Sequence, residues 1–259
     1  MPQLIYQNKN VHYQTSGSGK VVVLLHGFLE SLKIWNSFSA ELSKDYQVIA
    51  IDLPGHGTTD VFAEVHTMEF MAAVVHEVLV AENILKAAFI GHSMGGYVAL
   101  AFLKNYPDLV SHLMLFNSSA SEDSEEKKQN RDRGIKVVQQ MPENFISMGV
   151  MNLFSEDHKK TFAPEIATLK EQALQTPVAG VIAALAGMKL RKASVQTLKE
   201  ASIVKHYIIG NQDPTIQVAE ILDQADEVEA DTTVVAGGHM SYIENKDEAL
   251  QAILSFLAK

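Results

Sequence analysis

Short apolar runs alternate with longer helical segments along most of this chain of 259 residues, and this alternation limits the folds open to it. Six runs have the near-continuous apolar character of strands that are buried on both faces. They are VVVLLH (21–26), YQVIAID (46–52), AAFIGH (87–92), LMLFN (113–117), IVKHYIIG (203–210) and TTVVAG (232–237). Segments with helical spacing of apolar residues, such as TMEFMAAVVHEVLVAEN (67–83), separate them. The pattern predicts an α/β fold with a mostly parallel central sheet flanked by helices.

The first residues of the chain predict a hairpin rather than a helical crossover. LIYQ (4–7) and VHYQTSG (11–17) both have strand character, and NKN (8–10) between them is typical of a turn. We therefore expect two antiparallel strands at one edge of the sheet.

The segment 118–192 interrupts the alternation, because it is rich in helical runs and has no strand pattern. We predict that it forms a helical cap insertion, and that residues 1–117 and 193–259 form the α/β core around the sheet. Within the insertion, the run SEDSEEKKQNRDRG (121–134) mixes charges of both signs, which is typical of a solvated surface.

Charge and composition narrow the classes of partner. The chain has 21 Lys and Arg against 31 Asp and Glu, a formal net charge of −10. Binding to nucleic acid or to an anionic membrane requires clustered positive charge instead. The chain has no cysteine, which excludes disulfides and thiolate nucleophiles. No run approaches the roughly 18 apolar residues of a membrane span, and the N-terminus lacks a signal-peptide pattern. We expect a cytoplasmic protein with no nucleic-acid or membrane partner, while the sequence indicates no oligomeric state.

The segment AAFIGHSMGGYVAL (87–100) places Ser93 where a strand pattern changes to a helix pattern. Glycines on both sides permit a sharp turn that exposes the serine hydroxyl, which is the context of a nucleophile elbow. The amide of Met94, directly after the serine, can donate to an oxyanion that forms near the hydroxyl. A second donor is expected at the end of an earlier strand, where HGF (26–28) supplies the amide of Phe28.

A serine hydroxyl needs a base, and the base needs a group that holds it in the right tautomer. His239 follows a strand pattern and two glycines in TTVVAGGHMSYIEN, so we predict that it is the base. Asp213 follows the preceding strand pattern in IVKHYIIGNQDP and precedes Pro214, so we predict that it orients the histidine. Asp123, in the segment after LMLFN, is the alternative acid.

Five segments occur in an order that resembles the motifs of the α/β-hydrolase fold family. They are HGF (26–28), DLPGHGTTD (52–60), GHSMGG (91–96), GNQDP (210–214) and GGHMSYIE (237–244). The resemblance covers nearly the whole chain and implies a serine esterase-like member. In such a protein Ser93 attacks a carbonyl, His239 acts first as base and then as acid, and Asp213 orients His239. Members that cleave carbon–halogen bonds or epoxides carry an aspartate where this chain has Ser93, so neither activity is expected.

The resemblance implies hydrolysis of a small-molecule, ester-like substrate through an acyl-enzyme, without a cofactor. No metal is expected, since the histidines lack the spacing of metal ligands. A thioesterase, an enol-lactonase, a carbon–carbon bond hydrolase or a perhydrolase would use much the same residues. The resemblance does not choose among these activities, because function resides in the site and the cap rather than in the fold. A ligand receptor with slow turnover is the alternative from another class.

Residues of the insertion are candidates for contact with the substrate. The apolar candidates are Phe145, Met148, Met151, Leu153 and Phe154. An enol-lactonase or ring-cleavage hydrolase would need cations in the pocket to bind its substrate carboxylates, but a pocket for a neutral ester is the simpler expectation. The cations of the insertion are Arg131, Arg133, Lys189, Arg191 and Lys192.

Four polar residues near the motifs have simpler interpretations. Asp52 and His56 are expected to hold a loop, and His92 to make local contacts. Glu30 is expected to be a solvent-facing carboxylate, or a contact to a cationic or hydroxyl-bearing substrate.

Overall fold

A sheet of eight strands forms the centre of the computed structural model, which describes residues 3–259. The strands are β1 (Gln3–Tyr6), β2 (Lys9–Ser16), β3 (Val21–Leu25), β4 (Gln47–Ile51), β5 (Ala87–His92), β6 (Val110–Phe116), β7 (Val204–Gly210) and β8 (Asp231–Val235). Their spatial order is β1-β2-β4-β3-β5-β6-β7-β8. The pairs β1–β2 and β2–β4 are antiparallel, and all other neighbours are parallel. The predicted α/β class with a mostly parallel sheet is confirmed.

The predicted hairpin is also present, but its turn lies earlier in the chain than expected. Gln7 and Asn8 form the turn, and both have positive φ, 49° and 61°. Lys9 and Asn10, which the sequence suggested as turn residues, belong to β2 and pair with Tyr6 and Ile5. A two-residue hairpin turn with both residues in the left-handed region matches the twist of the flanking strands, which fixes this register.

Helices cover both faces of the sheet. They are α1 (Asn36–Leu42), α2 (Met68–Ala81), α3 (Met94–Asn105), α4 (Glu125–Gln140), α5 (Pro142–Met151), α6 (Ala163–Ala173), α7 (Val178–Leu190), α8 (Val195–Glu200), α9 (Val218–Glu227), α10 (Ser241–Glu244) and α11 (Lys246–Leu257). Alternate residues of β3 point to opposite faces, so Val22 and Leu24 pack with α1 and α11, whereas Val23 and Leu25 pack with α2 and α3. Two apolar clusters therefore enclose the sheet.

Five helices, α4 to α8, lie between β6 and β7. The first four pack on one another, α4 against α7 and α5, and α5 against α6. Helix α7 also contacts loops of the core, because the backbones of Gly180 and Gly55 approach so closely that neither has room for a Cβ. The amide of His66 donates to the carbonyl of Ala183 on the same helix at 3.0 Å. In the described residues no single helix has the length and hydropathy of a membrane span. Helices α6 and α7 have that length and hydropathy only when they are taken together, and they are bent by 99° relative to each other.

Candidate active site

Ser93 stands between β5 and α3 in a strained backbone conformation. Its φ of 50° lies in the left-handed region, which costs a residue other than glycine about 1–3 kcal/mol. The turn is possible because its neighbours are glycines: a Cβ on Gly91 would overlap the backbone of Gly95, and a Cβ on Gly95 would overlap the carbonyl of Leu25. Hydrogen bonds hold the serine backbone from both sides, since its amide donates to Phe116 O at 2.9 Å and its carbonyl accepts from Ser118 Oγ at 2.7 Å.

The side chains of Ser93, His239 and Asp213 form one hydrogen-bonded series. The distance from Ser93 Oγ to His239 Nε2 is 2.8 Å, and the distance from His239 Nδ1 to Asp213 Oδ2 is 2.6 Å. The three residues follow β5, β8 and β7, whose carboxyl ends lie at the same edge of the sheet. In this arrangement the carboxylate fixes the Nδ1–H tautomer of the imidazole and leaves Nε2 free to take the serine proton.

Asp213 is buried, and four further donors hold its carboxylate. Oδ1 accepts from the amide and the hydroxyl of Thr215, both at 2.8 Å, and from the amide of Ile216 at 3.2 Å, while Oδ2 accepts from Asn117 Nδ2 at 2.9 Å. Burial alone would raise the pKa of Asp213, but the imidazole of His239 and these hydrogen bonds outweigh it and lower the pKa to about 2. The carboxylate is therefore ionised at neutral pH.

Two backbone amides without a protein acceptor lie near Ser93, one directly after it in the chain and one on a loop that lines the same cavity. Met94 is the first residue of α3, so its amide has no acceptor inside the helix. The amide of Phe28, in the loop after β3, makes no hydrogen bond to any of residues 3–259. The neighbouring imidazole of His26 fixes this loop, because its Nε2 accepts from the amide of Leu53 at 2.9 Å and its Nδ1 lies 2.7 Å from Gly27 O. Two unoccupied amides beside a hydroxyl are the donors that an oxyanion requires.

Glu30 does not face solvent, contrary to the expectation from sequence, because it forms a buried pair with His92. Its Oε2 lies 3.0 Å from His92 Nδ1 and accepts from the amide of Gly27 at 2.6 Å, and its Oε1 accepts from the hydroxyl of Tyr242 at 3.1 Å. The Nε2 of His92 lies 2.9 Å from the carbonyl of His239. Both imidazole nitrogens thus lie beside oxygen atoms, which favours the doubly protonated ring.

Charge attraction within this pair opposes the cost of burial. Burial lowers the pKa of His92, but the carboxylate of Glu30 outweighs it and raises the pKa above its ordinary value. Burial likewise raises the pKa of Glu30, but the imidazolium outweighs it and lowers the pKa. The pair is therefore an ion pair that joins the loop after β3 to the backbone of His239.

Residues of the helical segment between β6 and β7 hold the histidine loop in place. The amide of His239 donates to Leu153 O at 2.9 Å. Glu244, buried at the end of α10, accepts from the amide of Gly238 at 3.1 Å and from Ser155 Oγ at 2.7 Å. Its Oε2 also lies 2.7 Å from His158 Nδ1. The position of the histidine thus depends on the segment between α5 and α6 as well as on the core.

A cavity of about 320 Å³ opens onto Ser93 and His239. Most of its wall is apolar, formed by Phe28, Tyr97, Phe145, Leu153, Leu185, Met188 and Ile216. Phe145 and Leu153 had been expected in the pocket, but the other three predicted residues do not line it. Met148 and Met151 are exposed, 59% and 40%, and Phe154 is buried in the apolar cluster on the α11 face. Helical spacing of apolar residues did not distinguish the faces of α5.

No role was predicted from the sequence for Thr215, Asn117 or Glu244. Thr215 and Asn117 lie at the carboxyl ends of strands, a position that marks candidate site residues in a parallel sheet, whereas the contacts of Glu30 and Glu244 have no local signal. Asp123, the alternative acid, is bound instead by Arg131 Nε at 2.6 Å and Arg191 Nη1 at 2.7 Å. Within residues 3–259, no three His, Asp or Glu side chains converge as a metal site requires.

A protein-family model described as the alpha/beta hydrolase fold matches residues 20–246. Among curated proteins, the pimeloyl-(acyl-carrier protein) methyl ester esterase of Aliivibrio fischeri is 27% identical, over 96% of this chain and 97% of its own length. Uncharacterized proteins of Mycobacterium bovis and Mycobacterium tuberculosis are 33% identical over 106 residues, and that match spans only 31% of their length.

Solved structures match over the full chain. A thermophilic esterase from Thermogutta terrifontis, solved with malate bound, has a TM-score of 0.93 and 29% sequence identity, covering 99% of this chain and 97% of that one. The enol-lactonase from Burkholderia xenovorans has a TM-score of 0.92 at 21% identity, covering all of both chains. At that identity the second likeness shows the shared fold alone.

Proposed function

Because the chain belongs to the α/β-hydrolase family and is a hydrolase with esterases among its relatives, we propose that it cleaves small carboxylic esters through an acyl-enzyme on Ser93. The observation that carries the proposal is the distance of 2.8 Å between Ser93 Oγ and His239 Nε2, at the base of a cavity and beside two unoccupied amides. A nucleophile, a base and an oxyanion site that meet at one point suit acyl transfer.

In the first half of the reaction, Ser93 Oγ attacks the ester carbonyl while His239 Nε2 takes the hydroxyl proton. The carbonyl oxygen becomes an oxyanion that the amides of Phe28 and Met94 stabilise. The carbon–oxygen bond of the ester then breaks, and His239 gives its proton to the leaving alkoxide. Asp213 remains ionised throughout, since its pKa is about 2, and its charge stabilises the imidazolium that forms between the two proton transfers.

In the second half, a water molecule takes the place of the alcohol. His239 Nε2 removes a proton from the water, whose oxygen attacks the acyl carbon, and the same two amides receive the second oxyanion. The proton then returns to Ser93 Oγ as the acid leaves. The carbonyl of His239 accepts from His92 and its amide donates to Leu153, so the ring keeps its place between the two half-reactions.

Hydrolysis of p-nitrophenyl esters of graded acyl length tests this proposal, with the wild type beside Ser93→Ala. We expect turnover by the wild type that falls by at least about 10³-fold in the variant, whose fold should be intact by circular dichroism. We also expect one equivalent of a fluorophosphonate to bind covalently to the wild type and none to Ser93→Ala, as measured by mass spectrometry. Equal labelling of the two proteins, or undiminished turnover by the variant, would exclude Ser93 as the nucleophile.

A further inference from the structure

One face of α4 forms a polar wall of the cavity above Ser93. Lys127, Asn130, Arg131 and Gly134 all line it, and their spacing of three and four residues places them on one side of the helix. This helix comes from the mixed charge run that the sequence suggested was a solvated surface. Lys127 and Asn130 are exposed, as that expectation requires, whereas Arg131 and Gly134 are partly buried. Lys136, also exposed, follows Lys127 by two and a half helical turns and therefore lies on the opposite side of α4.

Positive charge exceeds negative charge on this wall. Asp123 also lines the cavity, but Arg131 Nε and Arg191 Nη1 bind its two oxygens at 2.6 and 2.7 Å, so the three groups together keep one positive charge. Burial raises the pKa of Asp123, but the two guanidinium groups outweigh it and lower the pKa, so the carboxylate stays ionised. Lys127 adds a second positive charge, since no carboxylate of residues 3–259 lies within 4.0 Å of its Nζ.

Four further carboxylates lie on or just before α4 outside the cavity lining, and two of them, Glu122 and Glu126, form no salt bridge among the described residues. The other two, Glu125 and Asp132, pair with Lys128 at 2.8 Å and Lys189 at 2.6 Å. Glu30 does line the cavity, but its charge is matched by the buried imidazolium of His92.

Arg131 is held in one orientation by buried neighbours. Its Nε donates to Asp123, whose other oxygen is bound by Arg191, 7% exposed at its side chain. Arg191 in turn donates to Met188 O at 3.2 Å, and its guanidinium lies 3.9 Å from the ring centroid of Tyr97. In the described chain, neither Nη group of Arg131 has a protein acceptor. A guanidinium fixed through Nε with its Nη groups available suits hydrogen bonding to a carboxylate.

Resting on the proposed ester hydrolysis, we infer that Lys127 and Arg131 bind a free carboxylate of the substrate, which is a half-ester of a short dicarboxylic acid. The ester group lies at Ser93 and the carboxylate at α4. A cavity of about 320 Å³ is at the small end of the range for ligand pockets, which favours a chain of four to six carbons over a long one. The apolar residues between the two ends accommodate its methylene groups.

The kinetic test compares the monoethyl and diethyl esters of glutaric acid, which differ in one free carboxylate. Acid release is measured with the wild type, Lys127→Gln, Arg131→Gln and Lys136→Gln. We expect the ratio of kcat/KM for the monoester to that for the diester to fall about 10- to 100-fold in Arg131→Gln, since a charge-assisted bidentate pair is lost, and by less in Lys127→Gln. Lys136→Gln removes the same charge as Lys127→Gln from the opposite face of α4, and should keep the wild-type ratio.

A binding measurement keeps the carboxylate site separate from the chemistry. Calorimetry with Ser93→Ala, which cannot turn the esters over, should give tighter binding of monoethyl glutarate than of diethyl glutarate, and adding Arg131→Gln should remove the difference. Absence of turnover by the wild type, with this preference in binding, would reject the proposed hydrolysis but support the carboxylate site. Turnover with no preference between the esters, or an equal effect of Arg131→Gln and Lys136→Gln, would reject the carboxylate site but leave the hydrolase.

Discussion

Replacing Glu30 by Gln removes the negative charge of the buried pair while it keeps the shape of the side chain. The amide oxygen of glutamine can still accept from Gly27, and its amino group can face Tyr242, so most of the hydrogen bonds persist. What is lost is the charge that keeps His92 doubly protonated. Removing one member of a buried ion pair costs about 3–5 kcal/mol, and the retained hydrogen bonds place this substitution near the lower value. We expect the free energy of unfolding to fall by about 3 kcal/mol.

Urea unfolding at neutral pH measures this loss, with Glu82→Gln as the matched control. Glu82 also accepts from a tyrosine hydroxyl, that of Tyr13 at 2.6 Å, but it is not buried and no imidazolium contacts it. Its substitution should cost less than about 1 kcal/mol. An equally small cost for Glu30→Gln would show that Glu30 and His92 are both neutral in the folded protein, which would refute the argument from the two acceptors around the ring.

The difference in free energy of unfolding between the wild type and Glu30→Gln should also depend on pH, which gives a second test. Glu30 has a lowered pKa in the folded state, so its stabilisation is present above its ordinary value of 4.5 and is lost as the pH falls. His92 has a raised pKa, so its stabilisation is present below its ordinary value of 6.5 and is lost once the pH rises through the raised value. The wild type should therefore exceed Glu30→Gln most clearly between these limits, and the difference should narrow on both sides.

Three further predictions concern Asp213, His56 and the close contact between α7 and the core. The pKa of Asp213 is about 2 against an ordinary 3.8, so its charge contributes about 2.5 kcal/mol to the free energy of unfolding above pH 4. This contribution is lost as the pH falls towards 2, so the difference in urea stability between wild type and Asp213→Asn should shrink over that range. Burial lowers the pKa of His56 to about 3, so the free energy of unfolding of the wild type should fall by up to about 3 kcal/mol between pH 6.5 and pH 4. Urea unfolding of His56→Gln should not show this fall. Gly187→Ala in α7 should cost about 1–3 kcal/mol, because the new methyl group would overlap the carbonyl of His66, whereas Gly149→Ala in α5 has room and should be neutral or stabilising in thermal unfolding.

The sequence was most informative where one local pattern decides the structure. The apolar runs at β3 to β7 are buried on both faces, so these strands could be predicted from their hydrophobicity, and their parallel arrangement from the helical segments between them. Ser93, Asp213 and His239 were chosen because each follows a strand pattern, and the carboxyl ends of parallel strands meet at one edge. Their catalytic roles stay predictions that the kinetic experiments test.

The sequence was least informative where contacts join distant segments. Glutamate is a residue type that usually lies at the surface, and the burial of Glu30 depends on its contact with His92, 62 positions later. The pocket-facing side of α5 could not be predicted, because Met148 and Phe145 are both apolar and only the packing on α4 decides which one is covered. The cations of α4 posed the opposite problem, since a helix with charges all round gives no sign of which face meets a cavity.

The close contact between α7 and the core loops also limits how such a protein can be rebuilt. A helix whose backbone touches Gly55 and accepts a hydrogen bond from His66 cannot be exchanged for that of a relative unless the loop before α2 is exchanged with it. Helices α4 to α6 have no such backbone tie to that loop among the contacts of the described chain. Grafts that aim at new substrates should therefore exchange α7 only together with that loop, and should keep the segment between α5 and α6, whose Leu153 and Ser155 hold the histidine loop.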